Sequence, residues 1–192
     1  MNLPNKLTTL RLLLSILLVV FYSIFKDYNF VMWIVGACFI IGSITDFLDG
    51  YIARKNNLVT GFGKLMDPLA DKILVISTII VLVDYKATIP FFWISIIVIF
   101  RELLVLGVRL ASLEGGGEVI AADYLGKAKT LTQMVSISAL IILQGINCYI
   151  EESAVLNGFI LGFQILFYIS VVLAVVSGFN YFWKNKKFFK TK

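Results

Sequence analysis

Six apolar runs divide the chain and leave it almost no polar surface from which to build a water-soluble domain. Leu12 to Phe25 is uncharged and follows Lys6 and Arg11. Tyr28 to Thr45 ends at Asp46. Ile73 to Val83 follows Asp67 and Asp71. Ala87 to Leu113 is interrupted by Arg101, Glu102 and Arg109. Thr130 to Ile150 and Ser153 to Trp183 complete the set. A membrane-spanning helix needs about 20 mostly apolar residues, and lipid offers an unpaired backbone group no partner, so helices are the expected solution. The alternating pattern of a membrane barrel is absent. With 192 residues, 59% of them hydrophobic, and a mean hydropathy of +0.92, the chain has no room for a separate soluble domain. The expected fold is an all-α, polytopic bundle of six transmembrane helices forming one membrane domain over 1–192. Pro4 and Thr8 suit a helix start, so a short N-terminal segment is expected at the membrane interface. The first run resembles a signal peptide, but no small-residue cleavage site follows it and it reads as a retained first helix.

The basic residues set an expected orientation. Lys6, Arg11, Arg54, Lys55, Lys64, Lys127, Lys129 and the lysines from Lys184 to Lys192 fall on one side of a six-span topology. Lys26 and Lys86 fall on the other, beside Asp27, Asp84, Glu151 and Glu152. Both termini are therefore expected in the cytoplasm, with the lysine-rich tail meeting anionic headgroups. The net charge of +5 sits in short juxtamembrane segments and gives no reason to expect nucleic acid as a partner.

The chain has no histidine. Imidazole bases, Ser-His-Asp triads and His-ligated zinc are excluded. Cys38 and Cys148 lie in apolar runs, form no CxxC pair and read as packing residues. Metal chemistry would have to use carboxylates, which suit Mg²⁺ or Mn²⁺.

Carboxylates of that kind are concentrated in TDFLDGYIARKNNLVTGFGKLMDPLAD, residues 45–71. Asp46 and Asp49 are three apart and share a face at the end of the second helix. Gly63, Asp67 and Asp71 are spaced four apart and share a face at the start of the third. A short loop with Arg54, Lys55 and Asn57 is expected between the two helices. The hairpin brings four carboxylates together near the cytoplasmic interface, where such a cluster is costly unless neutralised. Arg54, Lys64 and Lys72 could do part of this, and two divalent cations would do it more completely. Gly50, Ala53 and Gly63 are small where the helices face each other, which suits close packing and equally suits a flat nucleotide.

The pattern D-x-x-D-G-x-x-A-R, eight residues, then G-x-x-x-D-x-x-x-D resembles the signature of the CDP-alcohol phosphatidyltransferases. Asp46, Asp49, Gly50, Ala53, Arg54, Gly63, Asp67 and Asp71 fill it without departure. The resemblance implies that the four aspartates bind two divalent cations, Mg²⁺ or Mn²⁺, which clamp the pyrophosphate of a CDP-lipid. It implies that Asp71 is also the general base toward the acceptor hydroxyl. Gly50, Ala53 and Gly63 would accommodate the cytidine end, with Arg54 on the phosphates. A homodimer is the assembly the resemblance suggests.

The motif does not choose the acceptor. The opening NLPNKLTTLR resembles the start of phosphatidylglycerophosphate synthases, with Asn5, Thr8 and Arg11 in an N-x-x-T-x-x-R pattern that places Asn5 on the CDP-lipid. RELLVLGVR and GKAKT resemble the same subfamily. Physically, Arg101, Arg109, Lys127 and Lys129 put four cations in or near the membrane, where a charge usually has a partner. Glu102 can pair with one but not neutralise all. Arg109, Lys127 and Lys129 are the candidate pocket for an acceptor phosphate, with Arg109 favoured for its fork geometry. Lys127 and Lys129 read equally well as ordinary loop charges.

The expected partners are therefore CDP-diacylglycerol and glycerol 3-phosphate, in a bacterial plasma membrane with the site on the cytoplasmic side. Inositol phosphate, phosphatidylglycerol and serine are the rival acceptors. A divalent-cation transporter would place its acids near the bilayer midplane, and a membrane prenyltransferase would carry two separated Asp-rich motifs.

Overall fold

The computed structural model describes residues 3–55, 61–89, 92–114, 124–150 and 153–185. Within these, the side chains of 3–4, 47–55, 61–65, 87, 109–114 and 184–185 lie outside the description. Among the described residues the structure is all-helical: α1 (Leu3–Phe25), α2 (Val31–Lys55), α3 (Gly61–Asp84), α4 (Phe92–Glu114), α5 (Tyr124–Asn147) and α6 (Ala154–Asn185), with a 3₁₀ turn at Tyr85–Ala87.

Three stretches are long and apolar enough to cross a membrane: Asn5–Phe25, Tyr124–Asn147 and Ala154–Trp183. The apolar part of α2, Val31–Asp46, is shorter. The other two helices carry charges inside their length, Asp67, Asp71 and Lys72 in α3 and Arg101, Glu102 and Arg109 in α4. The exterior is apolar: Ile16, Ile24, Trp93, Phe100, Leu131, Val155, Phe159, Val172 and Trp183 are all exposed. A water-soluble chain would bury such a surface, and lipid does not require it to.

The helices run past their apolar runs. α2 continues nine residues beyond Asp46, so Arg54 and Lys55 lie on its last turn, not in a loop; Asn57 lies outside the described residues. α3 begins at Gly61, α5 at Tyr124. Both ends thus extend into charged sequence that is still helix-forming, and only the apolar part of each helix was visible as a run. α4 starts at Phe92, five residues after Ala87, which is the last residue of the 3₁₀ turn. The N-terminal turns expected at the interface are the start of α1 itself, which is unbroken from Leu3.

α1 packs on α2 and α3, α5 on α6 and α2, and α4 on α6 and α3. Leu18, Met32, Phe39, Leu74, Ile79, Leu82, Ile137, Leu140 and Phe167 fill the centre with almost no exposure. Two glycines set the spacing. A Cβ on Gly42 would sit 2.6 Å from a Leu74 methyl carbon, and one on Gly145 would sit 3.0 Å from the Trp33 ring. α2 therefore approaches α3 and α5 across bare backbone, as small residues allow in membrane bundles.

Candidate active site

The buried face of α1 carries Thr8, Arg11, Ser15, Leu18 and Tyr22, the three-to-four spacing of one helical stripe. Its first half is polar, and it meets the acids. Thr8 donates a hydrogen bond to Asp67 on α3. The Arg11 guanidinium lies 2.8 Å from an Asp46 oxygen on α2, and its Nε donates to the Gly42 carbonyl at 3.3 Å. Arg11 is fully buried while the Asp46 side chain is 47% exposed, so the carboxylate keeps an open side. Asp46 of α2 is placed within the field of Asp67 and Asp71 of α3. Pro68 stands between Asp67 and Asp71 inside α3 and has no N–H to give the carbonyl four residues back.

The remaining motif positions are placed by backbone alone. Asp49, Gly50, Ala53 and Arg54 are on the last turns of α2, and Gly63 is on the first turn of α3. Their side chains lie outside the described residues.

A second charged group adjoins the acids. Lys72 lies 2.8 Å from Asp71 Oδ2 and 3.1 Å from Glu102 Oε2. Glu102, on α4, is 1% exposed. Its other oxygen pairs with Lys129 of α5 and lies 3.2 Å from Arg101. Arg101 also donates to the Ala174 carbonyl at 2.9 Å and to Ser177 at 2.8 Å, which ties α4 to α6. Of the three basic residues predicted for an acceptor phosphate, the structure brings Lys129 to the site, buried and already engaged by Glu102. Lys127 is exposed. Arg109 is placed on α4, with its side chain outside the description. Asn5 is half-buried on the first turns of α1, where its carbonyl accepts from Thr9 at 2.9 Å.

Sequence reasoning did not anticipate Thr8 and Arg11 as clamps on the acids, nor Lys72 as a bridge to Glu102. The buried three-to-four stripe of α1 was the signal for the first pair. The second pair is joined across thirty residues of chain, and no local pattern marks it.

Residues 1–176 match the family model for CDP-alcohol phosphatidyltransferase. The chain belongs to the CDP-alcohol phosphatidyltransferase family. Among its relatives is a protein of Bacillus subtilis (strain 168), 42% identical over 99% of this chain and 98% of its own length. Others are from Rickettsia felis, 36% identical over 98% and 97% of the two chains, and Haemophilus influenzae, 34% identical over 94% and 91%. All three are named CDP-diacylglycerol–glycerol-3-phosphate 3-phosphatidyltransferase.

CDP-alcohol phosphatidyltransferases use divalent cations, and the donors present fit that requirement. They are carboxylates, with no thiolate or imidazole among them, as hard cations prefer. Among the described residues no three acids close on a common point. Instead Arg11 holds Asp46 and Lys72 holds Asp71, protein cations on carboxylates that would otherwise repel one another.

Proposed function

We propose that the chain transfers the phosphatidyl group of CDP-diacylglycerol to sn-glycerol 3-phosphate, giving phosphatidylglycerophosphate and CMP. The observation that carries this reading is the acid cluster of α2 and α3 lying beside a buried basic cluster, joined by Lys72. A nucleotide-lipid pyrophosphate suits the first and an acceptor phosphate suits the second. Relatives of nearly the same length carry the name of that reaction.

Asp46, Asp49, Asp67 and Asp71 would hold two divalent cations, Mg²⁺ or Mn²⁺, whose contribution when bound is to neutralise the pyrophosphate and its developing charge. Arg11 and Thr8 fix Asp46 and Asp67 in register across the two helices. Asp71 takes the proton from the acceptor hydroxyl. The freed oxygen forms a bond to the phosphorus bearing the diacylglycerol, and the bond from that phosphorus to the CMP oxygen breaks. Gly50, Ala53 and Gly63 leave room for the cytidine, with Asn5 and Arg54 on the CDP-lipid. Lys129, Arg109 and Lys127 receive the acceptor phosphate. Among the described residues around Glu102, the cations Lys72, Arg101 and Lys129 outnumber the acids Glu102 and Asp71, so an incoming dianion is electrostatically welcome. Serine would bring no phosphate to that excess.

In this reading all six helices span the membrane as one domain, the acids and both termini face the cytoplasm of a bacterial cell, and the chain works as a homodimer. The charges inside α3 and α4 are the functional exception that lowers their hydropathy.

The test is CMP release by purified protein in detergent with CDP-diacylglycerol, Mg²⁺ or Mn²⁺, and a panel of glycerol 3-phosphate, inositol phosphate, serine and phosphatidylglycerol. Cation-dependent release with glycerol 3-phosphate alone is expected. Release with another acceptor would overturn the assignment of the basic residues, and no release with any would overturn the transfer reaction itself.

A further inference from the structure

Glu102 divides its carboxylate between the two halves of the site. Oε2 lies 3.1 Å from the Lys72 ammonium, off the ideal hydrogen-bond angle, and Lys72 in turn lies 2.8 Å from Asp71 Oδ2. Oε1 faces Lys129 and Arg101. The carboxylate is buried among three cations that come from α3, α4 and α5; Lys129 is buried with it, while Lys72 and Arg101 each keep a minor part of the side chain exposed. Removing its charge leaves those cations facing one another. A buried carboxylate serving only to hold helices together could be satisfied by Arg101 and Lys129 alone. The additional link to Lys72 reaches a residue whose other contact is an acid of the proposed cation set.

From this juxtaposition we propose that Glu102 is a positioning residue that governs how far Lys72 neutralises Asp71, and thereby how readily Asp71 is available to a divalent cation, while its other oxygen holds Lys129 for the acceptor. The proposal rests on the assignment of Asp71 to the cation set. Lys72 is shared between Glu102 and Asp71. Take away Glu102 and the whole lysine charge falls on Asp71, which then competes with a bound cation. Take away Lys72 and that competition disappears. The two substitutions therefore act in opposite directions, and the double variant follows the lysine. A residue that merely packed helices would shift both in the same direction, by destabilising the bundle.

The experiment uses the full chain in detergent and Mn²⁺ alone as probe, reading the Mn²⁺ concentration at the midpoint of the rise in Tm. Glu102→Gln is expected to raise the midpoint by about threefold or more, the scale of coupling between charged residues in contact. Lys72→Met is expected to lower it, and Lys72→Met/Glu102→Gln to match Lys72→Met. Glu102→Asp, which keeps the charge, serves where the Gln variant does not fold and should move the midpoint upward by less. In turnover, Glu102→Gln should also raise KM for glycerol 3-phosphate, through the loss of its hold on Lys129. Shifts of both single variants in one direction, midpoints all within about twofold of wild type, or no Mn²⁺ effect on the wild type would overturn the proposal. If the wild type releases no CMP with any acceptor while the opposed midpoints are seen, the positioning role stands and the transfer reaction falls.

Discussion

In the proposed reaction Asp71 does two things at once, binding a cation and accepting a proton, and only the second depends on its basicity. An amide in its place keeps one oxygen donor and the shape of the side chain. Asp71→Asn is therefore expected to cut kcat by about 100-fold or more, the usual contribution of a positioned base, while CDP-diacylglycerol still protects the protein against heating. Turnover near the wild-type rate would remove Asp71 from that role. Lys129 poses the complementary question. Its ammonium is buried on Glu102, yet Arg101 and Lys72 also neutralise that carboxylate, so its loss need not orphan Glu102. Lys129→Met should raise KM for glycerol 3-phosphate by about tenfold, the order of one charge-assisted hydrogen bond, and leave KM for CDP-diacylglycerol unmoved. Equal effects on both substrates would make Lys129 a structural residue. The nearness of Asp46, Asp67 and Asp71 was legible in the sequence because they stand at helical spacing on the end of α2 and the start of α3; the Asp49 side chain lies outside the described residues. The Glu102 network was not, because Lys72, Glu102 and Lys129 meet only after three helices have packed.

At the scale of helices the apolar runs located each element and misjudged its ends. Hydropathy reports where a helix meets lipid, and α2, α3 and α5 continue as helix where the sequence has turned charged. Arg54 and Lys55 were read as loop for that reason alone. The glycines that space the bundle were legible only in part. Nothing in the sequence separates Gly145, whose missing Cβ is filled by the Trp33 ring, from Gly158, which has nothing within 4 Å. The contrast is testable. Gly145→Ala pushes against a rigid indole and should cost about 1–3 kcal/mol as overpacking, seen as a lower Tm in detergent. Gly158→Ala lies inside α6 with free space around it and should be neutral or stabilising by up to about 1 kcal/mol, since alanine is the better helix former. A similar loss at both would mean that helix spacing is not set at the α2–α5 contact.

Across the whole molecule the charged groups separate toward the two ends. Thr8, Arg11, Asp46, Asp67 and Asp71 gather where α1 and α3 begin and α2 ends, while Tyr22 donates to Asp84 at 2.7 Å where α1 and α3 finish. α5 spans this axis, with Tyr124 82% exposed at one end and Tyr149 62% exposed just past the other. α5 itself, from Tyr124 to Asn147, is about 35 Å long at 1.5 Å per residue, more than the roughly 30 Å hydrocarbon layer. The two positions must therefore emerge on opposite sides of the membrane if α5 spans it. In a background with Cys38 and Cys148 replaced by alanine, Tyr149→Cys should react with a membrane-impermeant maleimide on intact cells. Tyr124→Cys should react only after permeabilisation, because it lies at the end with the acids, the end that the proposed orientation puts in the cytoplasm. The reverse pattern would place the acids outside the cell, away from a cytoplasmic nucleotide-lipid headgroup. Labelling of both positions on intact cells would mean that α5 does not cross at all, and the six-span reading would fail with it.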